Sequence, residues 1–409
     1  MMRSTVLGYA WLLLLPLLVQ ATELRLGIRT ELSHPGKGHE FHLSGPSVAT
    51  TPAGEILVAW IAQQHHTNHL YLARPRTPGS PPVRVNPDGL EVESLHQSPG
   101  LAVGPAGEIY LSWSSSKTKP DGALFASDLR LSRSLDRGQS FEPPLRVNED
   151  RAISHAFEGL AVAADGTVLL AWIDSRDGHE HAGTYLSRII QRGTQVERTL
   201  RLDRETCVCC RVHLQAGLQD TVAALWRKVF PGHVRDMVIS VSHDRGQAFP
   251  PAMLVHADGW RLNACPHRGG AVGMDGTGRV YVSWYTEGGQ ETPRLLLTTS
   301  PDGQHFAPPQ RVDLSTASIP DHPRLAVHRT GAAVVVWEDA TAVRRRVLVR
   351  YTTDGGVTWS SIHTLSHAIK AYAPDIAVMP TGEFVVVWHE EQFPTIKTVV
   401  QSVHLEGER

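Results

Sequence analysis

The fold of this 409-residue chain is decided by the stretch Pro99-Gly-Leu-Ala-Val-Gly-Pro-Ala-Gly-Glu-Ile-Tyr-Leu-Ser-Trp113. An apolar segment and an alternating segment that ends in tryptophan flank a turn rich in glycine and proline. Alternation of this kind with such punctuation predicts two short antiparallel strands. The pattern occurs seven times, and its copies end at Trp60, Trp113, Trp172, Trp226, Trp284, Trp337 and Trp388.

These tryptophans recur roughly every 50 to 60 residues, which indicates repeated units whose apolar faces only neighbouring units can cover. In the unit that contains Trp113, two further strands are predicted within residues 123–134 and 144–147. Four short strands per unit, repeated radially, are typical of a β-propeller. We therefore predict an all-β chain that forms a single β-propeller of four-stranded blades, with seven blades, or six as the alternative.

The two ends of the chain complement each other. After Trp388 only one more strand is predicted, within residues 396–405, so the last unit lacks an outer strand. The alternating segment at residues 23–29 is free to supply it. We predict that the N-terminal strand closes the ring, which also covers a sheet edge that would otherwise be exposed.

The first 21 residues have the features of a secretory signal peptide. Arg3 precedes an apolar run over residues 9–19, and Val19-Gln-Ala21 fits a small-residue cleavage site. The run is too short to span a membrane, and no later segment approaches about 18 consecutive apolar residues. We expect a propeller domain over residues 22–409 that is periplasmic or secreted, with no membrane span after cleavage. A net charge of -2 gives no electrostatic reason to expect nucleic acid as a partner.

Turns between the third and fourth predicted strands carry a second motif. Ser134-Leu-Asp-Arg-Gly-Gln-Ser-Phe141 matches the Asp-box pattern S-x-D-x-G-x-[ST]-[FW], and variant copies begin at Ser242, Ser300 and Thr352. With these copies the chain resembles the sialidase-like (BNR/Asp-box) superfamily of β-propellers. Its Cys-x-Cys-Cys motif is similar to that of a secreted bacterial subgroup. The resemblance implies the propeller fold and export, with the Asp-boxes as structural turns.

All four cysteines lie in two short segments. Cys207-Val-Cys209-Cys210 precedes the fourth repeat, and Cys265-Pro-His267 precedes the fifth. Because the starts of adjacent blades share one face of a propeller, we expect both segments at the mouth of the central channel. Thiolates with imidazole suit Cu(I) or Zn(II). We therefore predict a transition-metal site, copper or zinc, with Cys207, Cys209, Cys210, Cys265 and His267 as ligands, and no organic cofactor.

Disulfides are an alternative use of the same cysteines. Outside the cytoplasm four cysteines can make two disulfides, which here would clamp the fourth and fifth blades together. A bridge between the adjacent Cys209 and Cys210 would be strained. One bridge would then join Cys265 to a cysteine of the first segment. The chain would in that case be a non-catalytic, disulfide-stapled binding platform.

A glycosidase is the other alternative, and it depends on the family resemblance. Sialidases use arginines to hold the substrate carboxylate, a Tyr–Glu nucleophile pair and an aspartic acid, because the reaction needs a clamp, an activated phenol and a proton carrier. Tyr285 with Glu287 match the pair, Asp174 (or Asp177) the acid and Arg227 (or Arg176, Arg211 or Arg268) the clamp. The Arg-Ile-Pro motif of the family is absent near the first blade. Under any of these hypotheses the ligand is a small molecule, a glycan or a metal at the channel mouth, and the sequence indicates no oligomeric state.

Overall fold

The computed structural model describes residues 23–32, 44–64, 67–77, 80–93, 98–116, 126–178, 182–289, 292–314, 317–392 and 395–406. The predicted signal peptide lies outside these residues. Within the described ranges all regular secondary structure is β-strand, as the alternating pattern predicted. None of the described residues forms a helix with the length and apolar character needed to cross a membrane.

The strands, in chain order, are β1 (Glu23–Leu32), β2 (Ser47–Thr50), β3 (Ile56–Gln64), β4 (Thr67–Ala73), β5 (Val83–Arg84), β6 (Gly100–Val103), β7 (Ile109–Ser116), β8 (Ser127–Ser134), β9 (Leu145–Arg146), β10 (His155–Val162), β11 (Val168–Asp174), β12 (Gly183–Ile190), β13 (Gln195–Asp203), β14 (His213–Ala216), β15 (Val222–Phe230), β16 (Val234–Ser242), β17 (Met253–Leu254), β18 (Gly270–Met274), β19 (Val280–Thr286), β20 (Arg294–Ser300), β21 (Gln310–Arg311), β22 (Ile319–Val327), β23 (Ala333–Ala340), β24 (Arg345–Thr352), β25 (His363–Thr364), β26 (Lys370–Val378), β27 (Phe384–Gln392) and β28 (Thr395–Glu406). Every repeat tryptophan falls on the second strand of a consecutive group of strands.

Consecutive strands pair as antiparallel sheets. Five four-stranded sheets are formed in sequential order by β2–β5, β6–β9, β10–β13, β14–β17 and β18–β21. The remaining strands belong to one larger sheet, in which a single parallel pair, Arg345 with Lys370, joins β22–β25 to the strands that follow. The prediction of an all-β fold built from four-stranded sheets is confirmed.

The first strands of these groups lie next to one another. The strand β2 contacts β6, β6 contacts β10, β10 contacts β14, and β14 contacts β18. The order continues from β18 to β22 and from β22 to β26, and β26 contacts β2. The N-terminal strand β1 pairs with β28 from Glu23 opposite Glu406 to Leu32 opposite Thr398. The ends of the described chain therefore meet in one sheet.

The tryptophans of the repeat form the core between sheets. All seven have an exposed fraction of 1% or less. Trp284, for example, shares one buried cluster with Leu225 and Ile239 of the preceding sheet. A buried indole N–H needs an acceptor. In four groups a carboxylate accepts it at 2.6 to 2.9 Å, in the pairs Trp172–Asp174, Trp226–Asp203, Trp284–Asp258 and Trp388–Glu390.

The Asp-box turn is held by its own polar groups. Asp136 Oδ1 accepts hydrogen bonds from Ser134 Oγ at 2.7 Å and from the backbone N–H of Ser140 at 3.0 Å. These side-chain and backbone hydrogen bonds hold the pKa of Asp136 well below its usual range. Gly138 has a φ of 78°, and a Cβ there would lie 2.6 Å from Leu72. The residues that define the Asp-box pattern in this turn therefore shape the backbone, and Gly138 allows close contact with the neighbouring sheet.

The pairing of β1 with the last strands includes a buried ion pair. Arg29 donates to both carboxylate oxygens of Glu390, at 3.2 and 2.7 Å. The Glu390 side chain is fully buried and also accepts the Trp388 indole N–H. Burial alone raises the pKa of Glu390, but the hydrogen bonds from Arg29, Trp388 and the His367 backbone hold it below its ordinary value. Arg29 thus ties the N-terminal strand to the core.

We expect Arg29→Ala to lower the free energy of unfolding by about 2 to 3 kcal/mol, because it leaves a buried carboxylate without its cation. Urea denaturation measures this change. The depressed pKa of Glu390 stabilises the fold above about pH 4.3, the unfolded value, and this contribution is lost as the pH falls through the folded pKa. The difference between wild type and variant should therefore shrink below that pH.

The matched control is Arg25→Ala on the same strand. Arg25 contacts Glu406 at 2.7 Å, but the two side chains are 71% and 56% exposed. Exposed ion pairs contribute little, so this variant should unfold almost as the wild type does. Equal destabilisation by both substitutions would contradict a special role for the Arg29–Glu390 pair.

Candidate metal centre

The first cysteine segment is a tight turn between β13 and β14. The backbone N–H of Cys207 donates to the carbonyl of Arg227 at 2.8 Å, and that of Cys210 donates to the carbonyl of Cys207 at 3.4 Å. Val212 then donates to the carbonyl of Phe157 at 3.0 Å. These bonds fix the turn against β15 on one side and β10 on the other. All three cysteines are buried, with exposed fractions of 0 to 3%.

The second segment lies between β17 and β18. The residues that lead into it run beside the start of β16. The backbone N–H of Arg235 donates to the carbonyl of Trp260 at 2.8 Å, and that of Leu262 donates to the carbonyl of His233 at 3.1 Å. This pairing carries the chain towards the first segment. Cys265 is exposed and His267 is half-buried, with the imidazole 5.9 Å from the ring of Phe157.

The five predicted ligands come together. Their donor atoms form two overlapping trios, and within each trio all donor atoms lie within 4.8 Å of one another. The inner trio is Cys207, Cys209 and Cys210, and the outer trio is Cys209, Cys265 and His267. Cys209 belongs to both. In the inner trio, Cys207 Sγ lies 3.0 Å from Cys210 Sγ and 3.9 Å from Cys209 Sγ.

The inner trio has one preferred thiolate. Hydrogen bonds from Cys209 and Cys210 lower the pKa of Cys207, and the charge of Arg235 adds to this effect. Arg235 Nη1 donates to Cys207 Sγ at 3.0 Å. The same sulfur contacts raise the pKa of Cys209, and burial raises that of Cys210. Without a metal, the Cys207 sulfur contacts the sulfurs of Cys209 and Cys210 and accepts a hydrogen bond from the Arg235 guanidinium.

The outer trio opens into a cavity of about 460 Å³. Cys209 and His267 line this cavity, together with Arg211, Asp321 and Arg324 among others. Cys207, Cys210 and Cys265 are not among its lining residues, and Cys265 is exposed to solvent instead. The donors therefore differ in access: Cys207 and Cys210 are enclosed by protein, whereas Cys209 and His267 face a space large enough for a small ligand.

Basic side chains surround the floor of the cavity. Arg211 and Arg324 also line a smaller cavity of about 90 Å³ beside it. Arg324 lies 3.5 Å from Asp375, and burial lowers the pKa of Arg324. Burial and these two arginines lower the pKa of His213 to about 3, so its imidazole is neutral. Arg324 was not predicted as a site residue. The pairing of β22 with β23 shifts register between Asp321 and Arg324, and the sequence does not reveal this irregularity.

Two of the residues predicted under the glycosidase hypothesis do meet. The phenol of Tyr285 donates a hydrogen bond to Glu287 Oε1. The guanidinium of Arg268 lies 4.3 Å above the Tyr285 ring and forms an ion pair with Asp321 at 2.9 Å. Burial and the bond to Glu287 raise the pKa of Tyr285, so the phenol is protonated at neutral pH. Asp321 lines the cavity, which places this cluster at its edge.

The other two, Asp174 and Arg227, have structural partners. Asp174 is 3% exposed and accepts hydrogen bonds from Trp172 Nε1 at 2.8 Å and from Arg176. Arg227 is fully buried and donates to three backbone carbonyls at 2.7 to 3.0 Å, those of Arg268, Arg235 and Tyr285. Neither occurs among the described residues that line the cavity. Their placement gives no support to the predicted roles as acid and clamp.

Several solved structures are similar to this chain in fold. The polysaccharide lyase Uly1 has a TM-score of 0.60 at 11% identity, over 93% of this chain and 100% of that chain. A protein of unknown function from Dyadobacter fermentans has a TM-score of 0.55 at 14% identity, over 94% and 99%. The Hadza microbial sialidase Hz136 has a TM-score of 0.52 at 14% identity, over 86% and 74%. No family model and no curated protein matches the chain. At these identities the likeness shows the fold alone, a sialidase-like β-propeller.

The difference in exposure predicts how the thiols react. In the reduced, metal-free protein, an aromatic disulfide reagent should label one thiol rapidly, that of the exposed Cys265. The three buried thiols should react more slowly, Cys209 through the cavity and Cys207 and Cys210 only after a local opening of the fold or by exchange with Cys209. Absorbance of the released thiolate measures both phases.

The control for this experiment is Cys265→Ser, which should abolish the rapid phase and leave the slow phase unchanged. Denaturant should make all four thiols of the wild type react rapidly. Direct labelling of Cys207 or Cys210 in the native protein at the rate of Cys265 would contradict the enclosure of these two side chains.

Proposed function

We propose that this chain is an exported, sialidase-like β-propeller that binds a soft or borderline transition metal, copper or zinc, at the mouth of its channel. The observation that carries this proposal is the pair of overlapping donor trios that share Cys209, with Cys207 and Cys210 enclosed and Cys209 and His267 at the cavity. The role is metal handling or metal-dependent chemistry. Residues 1–21 direct export under this proposal, and residues 22–409 form the propeller in the periplasm or outside the cell.

The proposed propeller has seven blades and is closed by the N-terminal strand. The cyclic contacts of β2, β6, β10, β14, β18, β22 and β26 support this number of blades. Closure is supported by the pairing of β1 with β28, which supplies the fourth strand of the last blade. In such a ring the starts of adjacent blades share one face. This arrangement accounts for the convergence of the two cysteine segments.

The donor set favours thiophilic ions. Thiolate sulfur and imidazole nitrogen bind Cu(I) and Zn(II), whereas Mg²⁺ and Ca²⁺ prefer oxygen ligands. Three protein ligands with an open fourth position are typical of catalytic zinc sites, and the outer trio offers this arrangement towards the cavity. The nearby Arg235 compensates the negative charge of the inner thiolate. An ion at the outer trio would therefore be accessible to a small ligand.

Elemental analysis of protein purified without chelator should find about one equivalent of copper or zinc per chain. Cys209→Ser and His267→Ala each remove a donor of the outer trio. Both substitutions should lower the apparent affinity for the metal at least about tenfold. Loss of a residue that only hydrogen-bonds to a metal ligand already lowers metal affinity by about this factor. Competition with a chromophoric chelator measures the affinity.

His322→Ala is the matched control for His267→Ala. His322 lines the same cavity but belongs to neither trio. Its loss should leave metal content and affinity unchanged. If the wild type contains no metal and all four of its cysteines are oxidised, the metal proposal is wrong and the disulfide-stapled platform replaces it.

A glycan-cleaving activity is a second candidate, and the Tyr285–Glu287 contact favours it. A phenol paired with a carboxylate is the arrangement of a sialidase nucleophile, and the pair lies beside the cavity edge. The fold neighbours include a sialidase and a polysaccharide lyase. Similar fold does not fix the reaction, so this candidate depends on the side chains alone.

A fluorogenic sialoside tests this candidate. If the chain is an exo-α-sialidase, Tyr285→Phe should lower kcat about a hundredfold or more, because the phenol oxygen is lost. Cys209→Ser, which affects only the thiol site, should leave that activity intact. If the wild type releases no fluorophore, or if Tyr285→Phe releases it as fast as the wild type does, this role for Tyr285 is ruled out.

A further inference from the structure

The inner pair Cys207 and Cys210 differs from the other cysteines in its geometry. The two residues are three positions apart in one turn, and their sulfur atoms lie 3.0 Å from each other. Both side chains are fully buried. Cys209, between them in sequence, lines the cavity instead. The turn therefore has two enclosed sulfurs that face each other and one sulfur that faces the cavity.

The 3.0 Å separation of the two sulfurs lies between the sulfur–sulfur distances of two chemical states, a metal-bound dithiolate and a disulfide. Two thiolates on one tetrahedral ion, with metal–sulfur bonds of about 2.3 Å, lie about 3.8 Å apart. The sulfurs of a disulfide are about 2.05 Å apart. From the observed position each state requires a relative shift of about 1 Å or less. The same turn can thus hold the pair either as metal ligands or as a disulfide.

We propose that Cys207 and Cys210 form a redox-active dithiol behind the outer metal ligands. Oxidation removes two electrons and two protons from the pair and forms one sulfur–sulfur bond. The electrons reduce an external low-molecular-weight disulfide to two thiols, which also take up the protons. Because this exchange consumes one disulfide and produces another, it requires no other oxidant.

Cys209 provides a route for the exchange. Cys209 Sγ, at the cavity, loses its proton to solvent and attacks the external disulfide, which releases one thiol as a mixed disulfide forms. Cys207, whose sulfur lies 3.9 Å away, then attacks Cys209 Sγ and releases the second thiol. Cys210, 3.0 Å from Cys207, attacks Cys207 Sγ and releases Cys209 as a thiolate. The disulfide ends in the enclosed pair, and Cys209 is again available at the cavity.

Oxidation would change the metal site, and this consequence rests on the proposed function. Reduced protein offers four sulfurs and one imidazole. Oxidised protein offers only Cys209, Cys265 and His267, the trio that opens to the cavity. The redox state of the inner pair therefore sets the number of thiolates available to a thiophilic ion. The disulfide itself does not depend on bound metal.

Disulfide mapping tests the proposal on the metal-free wild-type protein. The protein is equilibrated with oxidised glutathione, free thiols are blocked with a maleimide, and the protein is digested with trypsin. Cleavage after Arg204 and Arg211 gives one peptide with Cys207, Cys209 and Cys210, whereas Cys265 lies in another. The expected peptide lacks two hydrogens and carries one maleimide, which fragmentation places on Cys209.

Other labelling patterns overturn the proposal. Three maleimides on this peptide would show that the pair does not oxidise, and a link from Cys207 or Cys210 to the Cys265 peptide would show that the pair forms a different bond. In Cys210→Ser the exchange should stop at a Cys207–Cys209 disulfide, while Cys265→Ser should preserve the wild-type pattern. Circular dichroism verifies that each variant is folded.

Metal binding is measured on separate portions of the reduced and the oxidised protein, taken before the maleimide block and the digestion. Reduced protein should bind Zn²⁺ at least about tenfold more tightly than oxidised protein, because two thiolates are lost on oxidation. A maleimide on Cys209 together with no zinc binding in either state would refute the proposed metal function and leave the redox pair standing. The reverse result, zinc binding without the internal disulfide, would refute only the redox pair.

Discussion

A four-stranded antiparallel sheet cannot bury both of its faces by itself, and this constraint organises the whole chain. Each repeat tryptophan lies on the second strand of its sheet, and Trp284 shows the consequence, since it packs with Leu225 and Ile239 of the preceding sheet. The indole N–H also needs an acceptor, and for Trp172, Trp226 and Trp388 this is a carboxylate at or near the end of a strand. Packing therefore places successive sheets side by side, with their first strands in contact. The segments that lead into those strands are thereby brought to one cavity.

Arg227 connects this packing to the cysteine site. Its guanidinium donates to the carbonyls of Arg235, Arg268 and Tyr285, and its own carbonyl accepts the N–H of Cys207. Both cysteine segments and the Tyr285 strand are thus tied to one buried residue, the first segment through its backbone carbonyl and the others through its guanidinium. Its charge also lowers the pKa of Cys210, although burial has the larger and opposite effect. Arg227, which the glycosidase hypothesis assigned to the substrate clamp, donates its hydrogen bonds to backbone carbonyls inside the protein.

The parts of the fold that follow from local pattern could be predicted from the sequence. Alternation and turn residues gave the strand groups, and the order of the groups gave the convergence of Cys209, Cys265 and His267. The roles of Arg227 and Asp174 could not be predicted in the same way. Both come at or directly after a tryptophan strand, where a polar residue can face either the cavity or the backbone. For Arg227 the partners follow from the pairing of β15 with β16, which continues to Phe230. For Asp174 they include the neighbouring Arg176.

The likeness to a lyase and a sialidase at 11% and 14% identity leaves the chemistry open, because one propeller fold supports many reactions. The side chains must therefore decide. Glycoside hydrolysis needs carboxylates or a phenol and has no need of thiols. Yet all four cysteines lie in the two segments that reach the cavity, and one of them is shared by both donor trios. Structural staples would need the four sulfurs only in pairs. They would require neither the imidazole of His267 nor an opening at Cys209, and the presence of both favours a site that binds an ion.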